Sequence, residues 1–136
     1  RTSRRMKSTT TIIDSEAVQD GNGTESGTYD PSDENWGRKR VLYVEGDANA
    51  TDVTIEVAVE PRDPASTPEF YPLPSETVAN ADLTDDENNR RAIALDDDRG
   101  VGRLRVSITN NAGDGSGDTV VTVKVDEYDA VEVTDY

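Results

Sequence analysis

Carboxylates dominate the reactive side chains of this chain, and two stretches gather them densely. "ALDDDRGVGRLRVSITNN" (94–111) sets Asp96, Asp97 and Asp98 in a row before an alternating strand, and "GDGSGD" (113–118) sets Asp114 and Asp118 among glycines. Either could attract a hard cation such as Ca²⁺, which takes roughly six to eight oxygen ligands. A dedicated calcium loop alternates its ligands and turns on a glycine, whereas consecutive side chains of an extended segment point apart. The aspartate run therefore reads as a solvated strand end, with Asp98 and Arg99 forming an exposed pair of little energetic weight. Asp114 and Asp118 are the better of two poor metal candidates, because Gly-Asp turns of this kind bind calcium by stacking in repeats and only one copy is present. The expectation is no metal site and no cofactor.

Catalysis has little to work with. The 136 residues include no His and no Cys, and neither a G-x-S-x-G elbow nor a Gly-rich phosphate loop occurs. The usual bases and nucleophiles are thus missing, and thiolate metal ligands and disulfides are impossible. Paired carboxylates can hydrolyse glycosides. Among 29 acids any pair is uninformative, and one Trp and one Phe are too few to line a sugar cleft. The chain reads as no enzyme. The triplets Asn22-Gly23-Thr24 and Asn49-Ala50-Thr51 match the glycosylation pattern, about as often as this composition produces it by chance.

Positive charge is scarcer and therefore more informative. "RTSRRMK" carries Arg1, Arg4, Arg5 and Lys7 before the first acid, Asp14, on a chain of net charge −15. Such a basic arm on an acidic body suits attachment to an acidic surface. Nucleic-acid binding would need more charge and interleaved aromatics, and molar salt would strip counterion-driven affinity. Membrane attachment would need an amphipathic helix with apolar anchors, and Met6 alone cannot serve. No apolar run approaches the ~20 residues of a spanning helix. Within the body, Arg103 and Arg105 face away from the apolar stripe of their strand. They either dock an acidic neighbour or pair with acids on their own sheet.

The elements that must position these groups are strands. "TDVTIEVAVEP" places Val53, Ile55, Val57 and Val59 on one face, with Thr54, Glu56 and Glu60 opposite; "GRLRVSIT" and "TVVTVKVDE" alternate likewise. Further strands are expected at about 40–45, at "EFYPLP", at about 90–95 and at "AVEV" (130–133), while Pro61, Pro64 and Pro68 exclude a central strand through 61–68. "STTTII" (8–13) reads as a β-branched strand, with Ile12 or Ile13 filling a pocket on a neighbouring subunit. Residues 14–38 lack any period and read as a Gly/Ser/Asp-rich loop region. The expected organisation is a basic arm and first strand (1–13), that loop region (14–38) and a β-sandwich domain (39–136). The fold class is all-β, a single antiparallel sandwich or jelly-roll-like barrel of seven to eight short strands with an extended N-terminal arm.

Four pieces in order, "TIIDSEAVQDGNG", "VEGDANATDVTIEVAVEP", "EFYPLPSETV" and "GRLRVSITNNAGDGSGDTVVTVKV", resemble a family of small β-sandwich proteins from tailed-virus structural operons. The resemblance implies a capsid-decorating or turret subunit on the virion surface. Its partners would be the major capsid protein or other virion subunits and further copies of itself, as a trimer or pentamer, with neither nucleic acid nor membrane. A tail or collar subunit, or a domain of a haloarchaeal secreted or cell-surface binding protein, is the alternative. The resemblance does not extend to the basic arm, the proline-rich "EPRDPASTPEF" or the "DEYDAVEVTDY" tail.

The acid excess, 18 Asp and 11 Glu against 11 Arg and 3 Lys, suits a protein working in molar salt, where the Debye length falls to roughly 3 Å and self-repulsion is screened. The fold should therefore depend on salt. Circular dichroism should show the strand signal collapsing as KCl falls from molar to about 0.1 M. An unchanged spectrum across that range would refute the halophilic reading.

Overall fold

A computed structural model describes residues 8–30, 38–61, 67, 69–84, 89–95 and 101–129. Apolar residues at every second position leave a strand one hydrophobic face, which must be buried against another sheet. The described residues form nine strands: β1 (Ser8–Val18), β2 (Thr24–Tyr29), β3 (Arg38–Gly46), β4 (Val53–Pro61), β5 (Tyr71–Pro72), β6 (Val78–Ala81), β7 (Arg91–Leu95), β8 (Val101–Asn110) and β9 (Thr119–Asp129). One antiparallel sheet has the order β1-β9-β3-β7. The other runs β2-β8-β4-β5, and β6 also pairs with β4. The sheets pack together around one core and neither closes into a barrel, so the jelly-roll-like barrel alternative does not hold.

The core is built from short branched side chains. Val53, Ile55 and Val57 of β4 meet Leu104, Val106 and Ile108 of β8 in one layer, with Val121, Val123 and Val125 of β9 opposite, all fully buried. Burying each such side chain contributes roughly 1.5–3 kcal/mol. The periodic segments thus fall where alternation placed them. The 130–133 strand lies outside the described residues.

The N-terminal third departs from the expected partition. Residues 8–13 are no separate arm strand. They begin β1, which pairs along β9 from Ser8↔Glu127 to Val18↔Thr119. Residues 14–38 are not one loop either, because they hold the rest of β1, all of β2 and the first residue of β3. The absence of period in β2 has a physical cause. Only Gly27 and Tyr29 of that strand are buried. Its exposed face is zipped to β8 by hydroxyls, with Thr24 to Thr109 and Ser26 to Ser107 each 2.8 Å apart at directly opposed positions. Gly27 also lets the two sheets close at this side. A Cβ there would sit 2.3 Å from the Ile12 carbonyl oxygen.

One charged pair lies inside this core. Arg40 and Glu127 stand opposite each other in the β3–β9 register, 1 % and 3 % exposed, joined by an Arg40 Nε to Glu127 Oε2 bond of 3.0 Å. The Tyr29 ring covers the guanidinium at 5.7 Å. Breaking a buried pair by removing one member costs about 3–5 kcal/mol, whereas replacing both by apolar residues is often neutral. Urea unfolding should therefore show Arg40→Leu strongly destabilised and the double variant R40L/E127L largely restored. Equal loss in single and double variants would mean that the pair acts through packing alone.

Candidate functional site

The outer face of the β2-β8-β4-β5 sheet carries the two arginines singled out from sequence. Arg103 grips Glu60 of β4 with two bonds, Nε to Oε1 at 2.7 Å and Nη2 to Oε2 at 2.6 Å, and Glu60 is 1 % exposed. That bidentate fork is the strongest geometry available to a guanidinium and a carboxylate. Arg105 reaches Glu56 at 3.9 Å and lies 4.8 Å from the Phe70 ring centroid, a cation–π distance. Arg103 lies at 6.0 Å from the same ring. Both arginines are thus engaged by acids and an aromatic of their own sheet.

The glycine-rich end of the molecule is a hydrogen-bonded lattice of turns. Asn110, fully buried, donates from Nδ2 to the Val18 carbonyl at 3.2 Å and accepts from the Ala112 N–H at 3.1 Å. Asp20 accepts from the Gly117 N–H at 2.6 Å, and the Asp118 carboxylate accepts from the Asp20 N–H at 3.4 Å. Asp118 therefore helps hold a turn, while Asp114 is exposed beside Gly21. Among the described residues no three carboxylates converge as a cation cage. Asp96, Asp97, Asp98 and Arg99 lie outside the described residues.

The opposite face, on the β1-β9-β3-β7 sheet, gathers the other cations whose side chains are described. Six cations have described side chains: Arg40, Arg90, Arg91, Arg103, Arg105 and Lys124. The first is consumed in the core and Arg103 and Arg105 in the other sheet. Arg90, Arg91 and Lys124 are exposed and line a single hollow of about 260 Å³ with Tyr43, Glu45 and Ala92. Tyr43 sits opposite Ala92 on one side and Lys124 on the other, and is 43 % exposed. Arg90 meets Glu45 at 3.4 Å; among the described residues Arg91 and Lys124 have no ion-pair partner. The hollow is a cationic, aromatic-floored depression on an acidic protein.

The residues expected to contact partners are thereby redistributed. Ile13 is 2 % exposed in the chain's own core and Ile12 packs half-buried against it, so Ile13 is not free to enter a neighbour's pocket. Its strand pairs with β9 on one side and forms one edge of the sheet. Arg1, Arg4, Arg5 and Lys7 lie outside the described residues. Tyr43, Arg90, Arg91 and Lys124 were not among the expected site residues. They sit on separate segments that meet only because β3 lies between β9 and β7. No protein-family model and no curated protein matches the chain.

The Glu60 carboxyl is held below the usual carboxylate range, chiefly by the Arg103 hydrogen bonds and against the opposing effect of burial. A depressed folded value contributes stability that is fully present above the unfolded value, about 4.3, and is lost as pH falls through the folded one. Acid titration of stability should therefore fall less steeply below about pH 4 in Glu60→Gln than in wild type. Parallel acid limbs would show that Glu60 contributes no pH dependence.

Proposed function

We propose that the chain is a non-catalytic structural subunit of a virion, a capsid-decorating or turret protein of a halophilic archaeal tailed virus. It attaches to an acidic shell surface and projects an acidic two-sheet body into brine. Its partners are the major capsid protein and other virion subunits, its place the capsid surface. The observation that carries the docking role is the sorting of positive charge. Arg40, Arg103 and Arg105 pair with acids of their own chain, while Arg91, Lys124 and the Glu45-paired Arg90 share one exposed hollow. A chain this acidic would disperse its few cations to offset local repulsion if solubility alone shaped its surface. The acid excess suits molar salt, and the four-piece resemblance supplies the viral setting.

The basic arm remains the proposed shell contact, now separated from β1. Deleting residues 1–7 leaves the described β1 strand whole, whereas deletion through Ile13 would remove a core side chain. Purified haloarchaeal virus shells should co-sediment with the full chain in molar salt and lose about tenfold in affinity for the chain lacking 1–7. Failure of the full chain to bind shells would overturn the viral reading, and unchanged binding by the shortened chain would overturn the role of the arm.

A further inference from the structure

The two edges of the β1-β9-β3-β7 sheet carry opposite charge. At one edge β7 pairs with β3, and among the described residues its other side pairs with no strand. Arg91 begins that strand and Arg90 precedes it, both lining the hollow, whose third cation, Lys124, lies inward on β9 opposite Thr11 of β1. At the far edge, β1 exposes Asp14 and Glu16, and β2 beside it exposes Glu25. Among the described residues none of these three acids has an ion-pair partner.

We infer that the cationic β7 edge of one copy docks the acidic β1 edge of a second copy, so that subunits associate head to tail. This rests on reading the hollow as a docking surface and names its occupant. A cationic patch cannot be complementary to itself across a twofold axis, so a patch-on-patch dimer is disfavoured. A second copy offers the needed acids at the opposite edge of the same sheet, and a contact between unlike surfaces makes rings when its rotation closes. The β1 edge is irregular, with register shifts between Thr11 and Ile13 and between Ile13 and Glu16, and with Ser15 at φ 49°. A continuous backbone ladder does not extend through such bulges, so side chains carry the junction. The exposed Ala92 and Ala94 of β7 keep that edge low enough for close approach. In molar salt, screening over roughly 3 Å removes long-range attraction and leaves contact pairs, which select orientation more than they add affinity.

The test is sedimentation equilibrium of the full chain in molar KCl, with circular dichroism to confirm folding. Wild type should self-associate. R90E/R91E and D14K/E16K should each raise the dissociation constant at least about tenfold with unchanged strand signal. Mixing the two variants should restore association, because the intact arginine edge of one then meets the intact acidic edge of the other. A wild-type chain that stays monomeric to millimolar concentration overturns the inference. So do variants that associate as wild type does, or a mixture that remains monomeric. Monomeric wild type that still binds shells would sink this inference and leave the proposed function standing. Head-to-tail oligomers indifferent to shells would do the reverse.

Discussion

The buried Arg40–Glu127 pair is the constraint to which the rest of the larger charge pattern is tied. The β9 stripe, Val121, Val123 and Val125, is three copies of one shape, and valine stripes face one another across much of the core. A slip of two residues keeps every valine inward and changes the packing little, so shape alone specifies such a register weakly. A slip that separates Arg40 from Glu127 leaves two charges buried without each other, and that is costly. On this hypothesis the pair selects one register from several near-equivalent ones. That register places Tyr43 beside Lys124 and sets the floor of the hollow.

A second constraint follows from how little apolar material the chain has. Hydrophobic residues are 32 % of the sequence, with one Trp and one Phe. The single Phe lies on an outer face, where Phe70 covers Arg105 and approaches Arg103. On the same side Ala58 of β4 is fully covered although it does not belong to the main core. The sheet carrying β4 and β8 is thus sealed on both sides by different means, valines within and paired charges without. Long guanidinium stems cover surface that a richer sequence would cover with aliphatic groups.

The outer face of the other sheet is built differently. Its outward positions on β7 are alanines and its central aromatic, Tyr43, is half-exposed. Arg103 and Arg105 pair with Glu60 and Glu56 on one face; on the other, among the described residues, Arg91 and Lys124 have no ion-pair partner. This asymmetry gives the docking proposal its physical content without a metal, a nucleophile or a cleft.

Alternation of Val, Ile and Leu was sufficient, in the sequence alone, to place β3, β4, β7, β8 and β9, because a strand with one buried face must repeat every two residues. Outward Arg103 and Arg105 were legible for the same reason, but pattern alone left open whether they pair on their own sheet or dock a neighbour. β2 was not, because hydroxyl pairs and a close-packed glycine do there what apolar side chains do elsewhere. Nor did Arg40 or Glu127 announce burial, since each reads locally as one more surface charge until the partner strand sets it opposite the other. The hollow depends on strand order, which periodicity does not encode: Tyr43, Arg90, Arg91 and Lys124 meet only when β3 lies between β9 and β7. Local pattern determined which residues face inward; tertiary pairing decided which charges meet, because ion pairs form between neighbours in space.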